Sequence, residues 1–198
     1  MPSICIIGLG YIGLPTAVIF ASKGYRVIGV DLNKSIVEKV NKGKSHIIEP
    51  DLNDLLKKVV KNNQFSAQEN PTRSDIYIIA VPTPHYYGGD NIYHPDTSIV
   101  FQAVKQICPY IKKGNLILLE STSPIGTTEK IENLINQKTG FDKKDIHIAY
   151  CPERVLPGNI LNEIKNNDRI IGGLTDSASI KAQNLYSKIC EGKIFLTN

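Results

Sequence analysis

Short apolar, β-branched runs alternate along this chain with longer segments whose apolar positions recur at helical spacing. The run Ile4 to Ile7 is followed by a helical pattern from about Tyr11 to Lys23 and then by a second run, Arg26 to Val30, which predicts a strand–helix–strand unit. Helices are expected near Lys34 to Val40 and Asp51 to Lys61, with a strand at Ile76 to Val81 and a helix near Thr97 to Tyr110. A strand Leu116 to Leu119, a helix near Thr127 to Gln137 and a strand Ile146 to Ala149 come next. A short strand near Arg169 to Ile171, a helix near Ala178 to Cys190 and a strand Ile194 to Leu196 complete the series. Such alternation predicts an α/β, doubly wound fold, a mostly parallel sheet with helices on both faces. The one long stretch expected to be irregular is Pro82 to Pro95, PTPHYYGGDNIYHP, because its Pro, Gly, Asp and Asn residues favour turns.

Composition narrows this picture a little. A chain of 198 residues suffices for one well-buried core. Hydrophobic residues at 41% and charged residues at 21% are ordinary for a soluble protein, and no apolar run approaches the roughly 20 residues of a membrane span. The amino-terminal residues carry no basic region or small-residue cleavage pattern, so a cytoplasmic location is the expectation. Net charge is +4, from scattered lysines without a basic stripe or interleaved aromatics, and no nucleic-acid partner is expected. Cys5, Cys108, Cys151 and Cys190 form no metal-spaced cluster, and reduced thiols and no metal site are expected. His46, His85, His94 and His147 share no triad or ligand spacing and read as loop or surface residues.

Gly8-x-Gly10-x-x-Gly13 changes the picture more. It sits after a buried strand and at the start of a helix, where the first N–H groups and the helix dipole favour a pyrophosphate. Gly8 would permit the tight turn, Gly10 the approach of the phosphates and Gly13 the packing of helix on strand, which makes the fold Rossmann-type. Asp31 ends the second strand, where a carboxylate can accept hydrogen bonds from an adenosine ribose and disfavour a 2′-phosphate; NAD is the expected cofactor. Thr83 in Pro82-Thr83-Pro84, and Thr122 and its neighbouring hydroxyls in ESTSPIGTT, follow later strands and would face the same crevice. Helix capping is an alternative role for that second group. Glu153 and Arg154 in CPERVLPG offer a carboxylate beside a guanidinium, either to handle a water and an anionic substrate or as a surface ion pair.

GLGYIGLPTA, the Asp31 strand end, HIIEPDL, AVPTP, ESTSPIGTTEK, YCPERVLPG and NDRIIGG, taken in order, resemble the UDP-glucose/GDP-mannose dehydrogenase family, closest to its UDP-N-acetyl-D-mannosamine dehydrogenase branch. The resemblance implies oxidation of the C6 alcohol of a UDP-sugar to a carboxylate with two NAD⁺, through an aldehyde held on a catalytic cysteine. It further implies that Tyr11, Ile12, Asp31, Thr83 and Thr128 contact NAD, that Arg154 and Val155 contact the nucleotide sugar, and that Glu153 manages the hydrolytic water. Two positions depart from some relatives: Ile36 stands where an Arg follows the ribose aspartate, and Pro157 where a Glu follows the Glu153 position. The family's linking helix with its catalytic Lys and Asn, its GG-x-C nucleophile and its second nucleotide-like domain have no counterpart in these 198 residues. Residues 1–198 are therefore expected to be the NAD-binding domain, holding NAD without completing the oxidation, with homodimerisation a property of the full-length relatives. A stand-alone dinucleotide-binding module with a regulatory role is the alternative expectation.

Overall fold

The computed structural model describes residues 1–88 and 92–197. Gly89, Asp90 and Asn91, which fall in the segment expected as a loop, and the terminal Asn198 lie outside the described residues. Eight strands form one sheet: β1 (Ser3–Ile7), β2 (Arg26–Val30), β3 (Phe65–Gln68), β4 (Ile76–Ile79), β7 (Leu116–Leu119), β8 (His147–Tyr150), β9 (Arg169–Gly173) and β10 (Ile194–Thr197). Their spatial order is β10-β9-β8-β7-β4-β1-β2-β3. All neighbouring pairs are parallel except β8 with β9, where Ala149 lies opposite Gly173 and Tyr150 opposite Gly172. The mostly parallel sheet expected from the alternation is present.

The strands alternate apolar residues between two cores. Ile4 and Ile6 of β1, Ile78 of β4 and Leu118 of β7 face one side, against α1 (Gly13–Ser22), α3 (Leu52–Lys61) and α7 (Asp176–Tyr186). Cys5, Ile7, Tyr77 and Ile79 face the other, against α4 (Ser98–Ile107) and α5 (Thr127–Thr139). Helices α2 (Lys34–Asn41) and α6 (Ile160–Asn166) complete the first layer. Every residue of α1 from Gly13 to Ala21 is buried, so this helix is fixed by its whole circumference rather than by one stripe. Burying each of its large apolar side chains is worth roughly 1.5–3 kcal/mol. This immobilises the amino end of α1 under the glycine loop.

Three local expectations are corrected. The segment Pro82 to Pro95 contains a small antiparallel hairpin, β5 (His85–Tyr87) and β6 (Tyr93–Pro95), so His85 and His94 belong to strands. Cross-strand ring pairs hold it, Tyr86 stacked on His94 at 5.5 Å and Tyr87 edge-on to Tyr93 at 5.1 Å, a source of pairing that turn-forming residues conceal in the sequence. Strand β3 and helix α6 went unpredicted, since FSAQ carries only two apolar residues and ILNEIKN spans only two turns. Helix α6 gains an anchor that local sequence does not reveal: the buried Glu49 accepts hydrogen bonds from the backbone N–H groups of Gly158 and Ile160. Among the described residues no helix is long and apolar enough to cross a membrane.

Candidate functional site

The chain runs outward from β1 to β2 and β3 on one side and returns to β4, β7 and β8 on the other, so a crevice opens at the carboxyl ends of β1 and β4. The glycine loop fills this position. Gly8 has φ +96°, a left-handed conformation that favours glycine, and a Cβ there would lie 2.5 Å from the Ala80 carbonyl oxygen. At Gly13 a Cβ would lie 1.9 Å from the Gly8 carbonyl oxygen, so helix and loop touch through bare backbone. Gly10 differs: a Cβ there would meet no protein atom within 4 Å. The space beside Gly10 is open toward the amino end of α1, where a ligand phosphate would approach. The residues present fit a dinucleotide on this observation.

Asp31 stands at the end of β2, and its carboxylate accepts from the Leu9 N–H at 3.0 Å and from the Asn33 N–H at 2.9 Å. Each oxygen has a further lone pair for ribose hydroxyls. Gly8, Gly10, Asp31, Leu32 and Ile36 line a cleft of ≈ 330 Å³ that also reaches Val81 and Pro82. Ile36, where some relatives carry Arg, is thus an apolar wall of this cleft and packs on the core.

A second cleft of ≈ 170 Å³ lies across the loop, lined by Ile12, Val81, Pro82, Thr83, Ser121 and Thr122, with Glu120 and Glu153 also at its wall. Ser121 Oγ donates to the Val81 carbonyl at 2.8 Å, tying the ends of β4 and β7 together. Thr83 is half-buried and Thr122 exposed. The two clefts share Val81 and Pro82, so they adjoin as a two-part channel at the end of β4.

Behind the second cleft lies a buried polar cluster that sequence reading did not find. Glu153 forms an ion pair not with Arg154, as adjacency suggested, but with Arg169 of β9; the two side chains are 4% and 3% exposed. Only the Arg154 backbone N–H reaches Glu153, at 3.0 Å, while its guanidinium donates to the Asp168 carbonyl at 3.3 Å. The surface ion pair is therefore replaced by a buried one, because the turn after β8 directs Glu153 inward and leaves Arg154 outside. Arg169 also packs over the Tyr186 ring at 4.6 Å and lies 3.6 Å from Cys151 Sγ. The Tyr186 hydroxyl donates to Glu120 Oε1 at 2.6 Å, and the Thr16 hydroxyl faces the same carboxylate, where it favours the ionised form. Burial pushes the Glu120 carboxyl up to about 7, with Arg169 opposing and Glu153 reinforcing the shift. Burial likewise pushes the Cys151 thiol up to about 12, which makes it a poor nucleophile at neutral pH. All four cysteines are free and buried. Glu120 and Arg169 could have been suspected from ESTSPIG and NDRIIGG, since each puts a charge at the end of an apolar strand; Tyr186 and Thr16 look like ordinary helix residues.

Other expected site residues lie apart from this channel. Thr128 and Arg154 line a third cavity of ≈ 330 Å³ together with Tyr150, Pro152 and Ile170. Thr128 donates to Glu129 at 2.9 Å. Tyr11 is 56% exposed on the outer side of the loop, and Val155 packs partly buried against the core. His46 lies in the loop between α2 and α3, as expected, whereas His147 opens β8; both are half-buried, each with its pKa lowered first by burial, and His147 Nδ1 lies 3.1 Å from Ser177 Oγ.

Comparison with known proteins agrees with this geometry. Residues 2–190 match the NAD-binding domain of the UDP-glucose/GDP-mannose dehydrogenase family. UDP-N-acetyl-D-mannosamine dehydrogenase of Campylobacter jejuni is 47% identical over 203 residues, covering 98% of this chain and 49% of the relative. Among solved structures, UDP-D-ManNAc dehydrogenase of Pyrococcus horikoshii superposes with a TM-score of 0.93 at 41% identity, covering 99% of this chain and 47% of the other. UDP-N-acetyl-mannosamine dehydrogenase of Staphylococcus aureus superposes with a TM-score of 0.94 at 38% identity, covering 99% and 47%. The chain thus spans about half the length of the curated relatives it matches. With its glycine loop, the carboxylate of Asp31 after β2 and its sheet in the family arrangement, this chain belongs to the UDP-glucose/GDP-mannose dehydrogenase family and carries that family's NAD-binding domain.

Proposed function

We propose that the channel over β4 holds NAD extended, its adenosine against Asp31, its pyrophosphate at Gly8, Gly10, Ile12 and Gly13, and its nicotinamide end at Thr83, Thr122 and Glu153. The reading rests above all on the two clefts adjoining at Val81 and Pro82 beside the glycine loop, an arrangement that suits the two halves of a dinucleotide. We further propose that the protein serves the oxidation of a UDP-sugar of the N-acetylmannosamine type at its C6 alcohol. The names of the relatives support this over a stand-alone regulatory module. Homodimerisation of the whole protein and a cytoplasmic location go with the same reading.

Bound NAD would supply the hydride acceptor. The chain's own part is to orient and to exclude water. Thr83 and Thr122 offer hydroxyls at the rim of the second cleft, and Ile12 closes it with an apolar wall. Glu153, fixed by Arg169 and by the Arg154 N–H, presents a carboxylate in a set direction, as a base receiving a proton from an attacking water requires. The exposed Arg154 guanidinium, beside the third cavity, suits the diphosphate of a nucleotide sugar, with Val155 and Thr128 nearby and Tyr11 at the outer face of the loop.

Calorimetric titration with NAD⁺ tests the reading. Saturable binding is expected, weaker for NADP⁺ because of the Asp31 carboxylate, and absence of binding at millimolar cofactor overturns it. For the substrate, UDP-N-acetylmannosamine should bind the NAD⁺-loaded chain and Arg154→Ala should weaken that binding; equal binding by the variant removes Arg154 from the sugar-nucleotide site.

A further inference from the structure

Glu120 directly follows β7 with its side chain in the wall of the second cleft, yet the residue is only 3% exposed, and among the described residues no cation pairs with its carboxylate, which meets only the Tyr186 and Thr16 hydroxyls. The groups around it come from four directions: Thr16 from α1, Tyr186 from α7, Arg169 from β9, and Cys151 and Glu153 from the segment after β8. Of these only Arg169 is cationic, and it is committed to Glu153. The cluster is therefore neutral when Glu120 holds a proton and carries one unbalanced negative charge when it does not. A buried, unbalanced charge is costly unless something in the cleft compensates it.

We infer that Glu120 is the residue through which this cleft distinguishes oxidised from reduced cofactor. This rests on the nicotinamide lying in the second cleft as proposed above. The oxidised ring is cationic and complements the ionised carboxylate; the reduced ring is neutral and suits the protonated carboxyl. Binding of NAD⁺ then releases the Glu120 proton to buffer where the free protein holds it, whereas binding of NADH leaves the carboxyl protonated and takes up a proton where the free protein has lost it. Because burial already pushes this carboxyl up to about 7, the two forms exchange at neutral pH. From pH 6 to pH 8 the competent fraction for NAD⁺ rises about tenfold and that for NADH falls about tenfold, so the ratio of NADH to NAD⁺ affinity should fall about a hundredfold. Using the ratio cancels titration of His46, which faces Asp31 at the end common to both cofactors.

The test is the dissociation constant of each cofactor with this chain across pH 6 to 8, with proton release measured by calorimetry in buffers of different ionisation enthalpy. Wild type should show the falling ratio, with proton release on binding NAD⁺ and proton uptake on binding NADH; Glu120→Gln should bind both cofactors with a pH-independent ratio and neither proton exchange. Tyr186→Phe removes the hydroxyl that favours the ionised carboxylate, so its fall in the ratio should move to higher pH; this variant keeps the test open if Glu120→Gln does not fold. A flat ratio in wild type, an unchanged slope in folded Glu120→Gln, or a ratio that is not displaced in Tyr186→Phe overturns the inference. Failure of both cofactors to bind at any pH would overturn the dinucleotide reading with it, whereas binding with a flat ratio would leave that reading standing.

Discussion

At the Asp31 end of the channel the glycine loop meets a mainly apolar surface that includes Leu32, Ile36, Val81 and Ile99, whereas the Glu153 end is backed by buried polar side chains from five separate parts of the chain. The first end works by omission: Gly8 and Gly13 remove side chains so that strand, loop and helix touch, and Gly10 leaves a space. The second works by burial of charge, with Glu153, Arg169, Glu120 and Tyr186 shielded from water and coupled to one another. One end is therefore rigid and electrostatically plain, and the other is where a proton can be held or lost near neutral pH.

The most severe way to test this contrast is at the glycines. Gly13→Ala places a methyl group 1.9 Å from a backbone oxygen that cannot rotate away, and should cost about 3 kcal/mol or more in urea unfolding. Gly10→Ala meets no protein atom, so its stability should change by less than about 0.5 kcal/mol while NAD⁺ affinity falls at least about tenfold. A Gly10→Ala variant that binds NAD⁺ normally would show that the open space is not the phosphate site.

Arg169→Met addresses the other end. Removing the only guanidinium facing Glu153 leaves a carboxylate 4% exposed and unpaired, with an expected loss of about 3–5 kcal/mol in denaturant unfolding. Adding Glu153→Gln to that variant should restore part of the loss, because the stranded charge is gone. A single variant that loses less than about 1 kcal/mol would mean that the cluster is not energetically coupled.

These two ends also differ in how much the sequence revealed. GLGYIG, Asp31 and the strand runs were readable because their physical role is local: a glycine in a tight turn or an acid at a strand end needs no distant partner to make sense. Glu153 was picked out, with a surface ion pair to Arg154 left open as one alternative, but its actual partner was not legible, since adjacency in sequence says nothing about which way successive side chains point after a strand. Arg169 lies 16 positions away and Tyr186 lies 66 from Glu120, so their contacts appear only once β9 folds back antiparallel on β8. The hairpin at β5 and β6 was hidden for a related reason, its rings pairing across a turn-rich segment.

Glu120→Gln gives a smaller and pH-dependent effect. The folded-state value of Glu120 is raised from 4.5 to about 7, so its contribution to stability is fully present below the unfolded value and is lost as pH rises through 7. The amount is of the order of 3 kcal/mol for this fully shielded group. The stability of wild type relative to Glu120→Gln should therefore fall between pH 4.5 and pH 7.5 and stay level above, measured by urea unfolding at each pH. A difference that does not vary with pH would remove the proton from the cluster.

Asp31→Asn should have the mildest effect and separates the two ends most cleanly. Asparagine retains one carbonyl oxygen, so it can serve the Leu9 N–H or the Asn33 N–H but not both while also accepting from a ribose. Its loss should weaken NAD⁺ by about 1–2 kcal/mol and narrow the margin over NADP⁺, whose 2′-phosphate no longer meets a negative charge. Because the adenosine is the same in both oxidation states, NADH should weaken by the same factor, leaving the ratio of the two affinities and its pH dependence as in wild type. Glu120→Gln should do the reverse, changing the ratio with pH. If the ends act independently, Asp31→Asn combined with Glu120→Gln should sum the two effects to within about 0.5 kcal/mol. A larger deviation would show that the channel over Val81 and Pro82 transmits charge changes from one end to the other.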